Sequence, residues 1–415
     1  MELREGHQST EIVAIPEDWS ADTILGLSTK IMDFRGRTPG KLGMEWGKGD
    51  IPALSAGNVK KGFIDFSAEC YFGSEELYRR WMTRGDVSKG DVVFTTEAPL
   101  GNVALIPDNK RYILSQRTIL IRTRPERALS AYLFQTLLSD GFQKVLADNA
   151  SGSTAKGIQR KRFEQLSIAL PPAEEQRAIA TALSDVDALI DGLARLLAKK
   201  RDLKQAAMQQ LLTGQIRLPG FSGEWDVKRI ADVASPSSVR NDLGEKLPVL
   251  TCSKHLGFVD SLGYFKNQVF SKDLSTYKII KRGEIGYPGN HIEEGSIGLQ
   301  DLYDNAVVSP IYVVFGVSEN VNSYFLHRLL KLDSFRQKFK TATTSSVDRR
   351  GSLRWPAFSL IEVELPPTLG EQEAIASVLF DMEVELSALD NRLVKTRALK
   401  QAMMQELLTG KTRLI

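Results

Sequence analysis

The segment Glu175–Leu218 aligns without a gap to Glu371–Leu414, and a repeat with about half its positions identical fixes the organisation of a chain before any local reading. Each copy follows a Leu-Pro-Pro, at Leu170–Pro172 and Leu365–Pro367, and closes with Leu-Leu-Thr-Gly before an Arg-Leu. Inside the copies, Leu183, Val186, Ile190, Leu193 and Leu197 recur at alternating steps of three and four, as do Leu379, Met382, Leu386, Leu389 and Leu393. That spacing predicts a helical seam. The proline pairs cannot lie inside a helix, Glu174, Glu175 and Glu371 suit a first turn, and Gly214 and Gly410 supply the stop. Each helix then runs about 60 Å at 1.5 Å per residue. A helix that long needs a partner for its apolar stripe, most economically its own duplicate, so the expectation is an antiparallel intramolecular coiled coil. Lys200, Lys204, Thr396 and Lys400 interrupt the seam, either snorkelling to solvent or marking a change of packing.

The repeat continues weakly outside the helices. Ile15–Trp19 opens the first half and Gly220–Trp225 the second; Lys89–Val92 corresponds to Arg282–Ile285, Ser115 to Ser309, Tyr132–Phe134 to Tyr324–Leu326, and Lys156-Gly157 to Arg350-Gly351. Alternating runs precede both proline pairs, at Leu166, Ile168, Leu170 and at Ile361, Val363, Leu365. Strand-like runs at Asp91–Thr95, Tyr112–Ile121 and Ala306–Phe315, with short helices at Ala131–Leu138 and Ser323–Lys331, make each half a mixed α/β (α+β) domain. The expected order is a loose tail over 1–11, a first globular domain over 12–172, a long helix over 173–214, a second globular domain over 215–367 and a second long helix over 368–415. The two globular domains would be related by an approximate two-fold axis. The helices have stayed alike while the globular parts have drifted, which fits two modules doing one job on different targets.

Composition excludes several classes. The net charge of +3 gives no overall field for nucleic acid, so affinity of that kind must come from local patches. Cys70 and Cys252 are far apart with no ligand-spaced partner, which disfavours a disulfide framework or zinc site and fits a reducing cytoplasm. No apolar run is long enough to span a membrane. There is no P-loop, no dinucleotide-binding glycine motif and no Asn-Pro-Pro-aromatic tetrapeptide; His7, His255, His291 and His327 are scattered, as surface or locally hydrogen-bonded residues would be. No catalytic and no metal-binding residue is singled out.

Basic loops carry the binding candidates. They are Arg35, Arg37, Thr38 and Lys41 in Asp33–Lys41, then Lys60 and Lys61, then Lys156, Arg160, Lys161 and Arg162, and in the second half Arg240, Lys254, Arg349, Arg350 and Arg354. Such side chains neutralise phosphates and pair with base edges. A single basic cluster is ordinarily a solvated face. Recurrence before the closing strand of both halves singles out Lys156–Arg162 and Arg349–Arg354.

Taken together, the paired Leu-Pro-Pro and Glu-Gln-x-Ala-Ile-Ala helices, the Leu-Leu-Thr-Gly-x-x-Arg-Leu ends and the Trp-bearing domain openings closely resemble the specificity (S) subunit of Type I restriction-modification systems, the HsdS family. The resemblance covers essentially the whole chain. It implies two target-recognition domains, each reading one half of an interrupted sequence in double-stranded DNA, and helices that act as spacer and as docking surface for two methyltransferase subunits. It also implies restriction/translocase subunits joining through the complex, with S-adenosylmethionine, ATP and Mg²⁺ belonging to those partners and none to this chain. Two departures stand out: the second half has no clear counterpart of Thr38-Pro39, and its Trp opening lacks the proline. Rival readings are a fused nuclease or methyltransferase, against which stands the missing cofactor motif, and a scaffold without salt-dependent DNA affinity.

Overall fold

The computed structural model describes residues 7–9, 14–152, 155–345 and 351–414. The two long helices are Ala173–Leu211 and Leu369–Leu407. Each begins just past its proline pair, and Gly214 and Gly410 follow the helix ends in the left-handed conformation, with φ of 68° and 69°. The chain forms two compact units, Met1–Ala194 with Asn391–Ile415, and Arg195–Asp390. These units cut across a consecutive division into domains and helices, because each takes the start of one long helix and the end of the other.

In the first unit a four-stranded antiparallel sheet runs in the order Ser28–Asp33, Thr118–Thr123, Val92–Thr96, Leu100–Leu105. Alternation splits its residues between two cores. Val92, Phe94, Ile119 and Ile121 face one core, which also holds Ile179 and Leu183 from the first long helix and Met404 and Leu407 from the second. Val93 and Leu120 face the other, with Phe34, Leu54 and Trp81. A sheet covered on both faces explains why Val92–Thr96 is buried throughout. The second unit repeats the order with Ala234–Ser237, Tyr312–Val317, Ile285–Pro288 and Gly298–Leu299. There Phe315, Ile285 and Tyr287 pack in one core with Leu211, Ile375 and Leu379 of the long helices and with Leu212 just past the first. The start of the first long helix therefore meets the end of the second in one unit, and its end meets the start of the second in the other. The helices run antiparallel.

Two runs expected as single strands are each broken. Ile113–Leu114 belongs to a three-stranded sheet with Ile51–Leu54 and Tyr71–Gly73, while Thr118–Thr123 lies in the four-stranded one. Arg117 between them has φ 67°, which no strand accommodates. In the second unit Asn305–Val308 and Tyr312–Val317 are parted at Pro310, which has no N–H for the ladder. The stretch expected as a tail contains a strand at His7–Ser9, paired with Ala14–Pro16. Short helices occupy Ser130–Leu138 and Ser323–Leu330.

Candidate nucleic-acid interface and the repeated clamp

The most duplicated residues of the sequence build the same clamp in each unit. In the first, the Glu175 carboxylate, fully buried, accepts from Arg413 Nε and Nη2 at 2.6 and 2.7 Å and from the Trp19 indole N–H at 3.0 Å. The same guanidinium lies 5.8 Å from the Trp19 ring centre and donates outward to Asp18, whose carboxyl those bonds hold below its ordinary range. In the second, Arg217 pairs with buried Glu371 and lies 5.8 Å from the Trp225 ring centre. The copies differ in two respects: Arg217 donates outward to the Ser222 and Gly223 carbonyls rather than to a carboxylate, and the buried Trp225 indole N–H has no hydrogen-bond partner among the described residues.

The neighbouring glutamines complete the attachment. Gln176 accepts from the Leu129 N–H and donates to the carbonyls of Arg127 and Pro171; Gln372 accepts from the Asn322 N–H and donates to those of Asn320 and Pro366. Through these bonds Leu129 matches Asn322, so Tyr132 matches Phe325 rather than Tyr324. The sequence alignment is corrected there by one residue.

Lysines that interrupt the seam are ion-paired across it. Lys400 meets Asp187 at 2.7 Å, and its counterpart Lys204 meets Glu383 at 2.6 Å. Gln135 donates to Asp187, while Arg328 and Tyr324 donate to Glu383. Lys200 pairs with Glu385, and the Thr396 hydroxyl donates to the Arg392 carbonyl. Of the seam residues, Leu183, Leu193, Leu197, Leu379 and Leu393 are buried, and Val186, Ile190, Met382, Leu386 and Leu389 are half-buried.

The basic candidates divide by what already holds them. Arg35 donates to both Asp33 oxygens and to Thr96 Oγ1. Burial raises the Asp33 carboxyl, but the Arg35 bonds outweigh it and the group lies below its ordinary range. Arg160 pairs with Glu164 at 2.6 Å, and both arginines line one cleft of about 530 Å³ with Thr96, Glu97 and Gln159. Arg37 donates to the Trp81 carbonyl and to Thr83 Oγ1 at 3.0 Å, Lys41 donates to the Gly36 carbonyl, and Thr38 caps the short helix Pro39–Leu42. Arg162 donates to Asn149. Lys61, Lys156 and Lys161 are exposed and Lys60 half-buried, without an ion pair among the described residues. In the second unit Arg240, Lys254 and Arg354 are exposed. Arg349 and Arg350 lie outside the described residues. Sequence and structure thus bring Arg35 and Arg160 to one cleft, with Thr96, Glu97 and Gln159 added by the fold.

Of the two alternatives for the histidines, surface or hydrogen-bonded, the first does not hold for His327. It is buried, its Nε2 lies 3.3 Å from the Ile297 carbonyl, and burial with the charges of Arg328 and Lys331 pushes it down to about 3. His291, Glu293 and Glu294 bring ligand-type atoms within 4.8 Å of one another on a partly exposed turn, a grouping that exposed acidic surfaces commonly show without an ion. Among the described residues no helix is long and apolar enough to cross a membrane.

Comparison with known proteins agrees with this construction. Residues 16–199 match the family described as the Type I restriction modification DNA specificity domain. The chain is 24% identical to the Type I restriction enzyme MjaVIII specificity subunit of Methanocaldococcus jannaschii, covering 96% of this chain and 94% of that protein. It is 23% identical to the putative MjaX specificity subunit of the same organism, over 99% and 97%. Its fold matches the crystal structure of a Type I restriction-modification S subunit from M. genitalium with a TM-score of 0.58, at 15% identity over 96% of this chain and 97% of that one. The HsdS subunit from Thermoanaerobacter tengcongensis matches with a TM-score of 0.51, at 18% identity over 96% and 98%. The clamp is built twice, and the match to the Type I restriction modification DNA specificity domain over residues 16–199 lies within a similarity to Type I specificity subunits that extends over nearly the full length of the chain.

Proposed function

We propose that each globular domain reads one half of a DNA target made of two unlike parts, that the antiparallel helices set the gap between them, and that the helices dock two methyltransferase subunits. The observation that carries this reading is the Glu-Arg-Trp clamp built twice around unlike domains. A frame held constant while the surfaces differ is what two readers of different half-sites require, as dimeric DNA-binding proteins address half-sites from one frame. Apolar side chains left on the helices support docking: Leu196, Leu203, Phe380 and Val384 of the second unit are between 40% and 54% exposed. A neighbouring solved structure, similar with a TM-score of 0.55, is described as the basis of complex assembly and conformational transition of the type I R-M system.

In this reading the chain carries no catalytic site and acts in the cytoplasm. S-adenosylmethionine, ATP and Mg²⁺ are held by the methyltransferase and restriction/translocase subunits, which join it on double-stranded DNA. Methylome sequencing of host DNA with the gene present and deleted tests it, with loss of methylation at one interrupted motif expected. An unchanged methylome, together with no salt-dependent DNA binding by the chain and its methyltransferase, would refute it.

A further inference from the structure

A recess in the first unit belongs to neither the clamp nor the Arg35 cleft. One wall is aromatic. Tyr71, 54% exposed, lies on an edge strand, and the Trp46 ring stacks 5.7 Å from it with 15° between the planes. Trp46 lies 5.4 Å from Trp81, whose indole N–H is anchored on the Leu114 carbonyl at 2.9 Å. Facing this wall are Gln116 and Arg117, both exposed, from the connector that breaks the expected strand. Arg117 is steadied by Glu97 at 3.3 Å, whereas no side-chain hydrogen bond engages Gln116 among the described residues.

The backbone marks the same place. Among the described residues, the non-glycine positions with positive φ are Ala98 at 40° and Arg117 at 67°, and both line this recess. Left-handed conformations of such residues persist only where the surroundings over-determine them, and they gather at ligand clamps. The cavity volume of about 550 Å³ lies within the range of small-molecule pockets. It is not part of the duplicated frame. At the matching connector the second unit has Ser309-Pro310-Ile311, which offers neither amide nor guanidinium.

An aromatic wall opposite an amide and a guanidinium is the recognition set for a flat heterocycle, with stacking on its face and paired hydrogen bonds at its edge. A paired base shows a protein only its edge, so a base reaches a recessed aromatic wall only by leaving the stack. We infer that this recess receives a nucleobase turned out of the duplex, stacked on Tyr71 and Trp46 and hydrogen-bonded by Gln116 and Arg117. The inference rests on the DNA-reading function proposed above.

The test uses the full chain with its methyltransferase partner and duplexes bearing its own target, each base pair of the first domain's half-site replaced in turn by a mismatch. An unpaired base leaves the stack more cheaply, so one mismatch, away from the methylated pair, tightens binding by about tenfold. Tyr71→Ala and Gln116→Ala each abolish that gain while leaving the melting temperature and the mismatch penalties of the other half-site unchanged. If every mismatch in this half-site weakens binding, or if the gain survives both substitutions, the pocket assignment is overturned and DNA reading stands. If no duplex is bound at all, the DNA-reading function falls, and this inference falls with it.

Discussion

Arg413→Ala is the sharpest test of how the first unit is closed. Glu175 is fully buried, and its donors are two guanidinium nitrogens of Arg413 and the Trp19 indole. Removing the guanidinium leaves a buried carboxylate with one neutral donor. Breaking a buried pair from one side costs several kcal/mol, and because Arg413 is 32% exposed water can partly replace it, which places the cost at about 3 kcal/mol. For a domain of this size that lowers the melting temperature by about 6–12 °C. Calorimetry of the full chain reads the shift. Asp18→Asn, on the solvent side of the same guanidinium, leaves the transition where it is. In the double variant Glu175→Gln with Arg413→Ala the buried group is neutral, so the two costs sum to less than their parts, with a coupling of about 1–3 kcal/mol. A shift below about 2 °C for Arg413→Ala would refute the reasoning, because Glu175 would then have found compensation that the geometry does not provide.

Three further outcomes follow from the same structure. Gly410→Ala destabilises more than Gly214→Ala in thermal melts: both residues have positive φ, but a Cβ at Gly410 falls 2.4 Å from Pro16, against 3.2 Å from the Trp225 ring at Gly214. Equal losses would mean that backbone conformation alone decides the position. His327 stays neutral in the folded chain down to about pH 3, whereas the unfolded chain protonates it below about 6.5, so stability falls as pH drops through that window, by about 2 kcal/mol at pH 5. His327→Gln flattens this acid dependence, and an unaltered profile in the variant would remove the assignment. A four-residue insertion near Ala198 changes the gap of the methylated motif, and an unaltered gap would sink the spacer role.

The sequence made the frame legible because its signals are local and doubled. Proline pairs, three-four spacing and terminal glycines act over a few residues, and both copies carry them. The purpose of Glu175 and Arg413 was less visible, although both recur, since the pairing joins opposite ends of different helices. Basic candidates were legible only as residue types: Arg35, Arg37 and Lys41 read as free charge, yet Asp33, the Trp81 carbonyl and the Gly36 carbonyl hold them. Trp46, Tyr71 and Gln116 come from three separate loops and strands and carry no common spacing, so only the fold assembles their recess. Of the two readings of His327, surface or hydrogen-bonded, the fold excludes the first, because five of the eight residues of Ser323–Leu330 are buried, His327 among them.

The clamp also sets an order of events during synthesis. The carboxylate of Glu175 is translated 238 residues before the arginine that neutralises it. At ordinary elongation rates that interval is roughly 10–50 s, during which the first unit exists without its final helix segment. Trp19 and Pro16 then face solvent or a chaperone rather than Gly410. The first domain to leave the ribosome is thus the last to be completed, and every chain that stops short of Arg413 leaves it open.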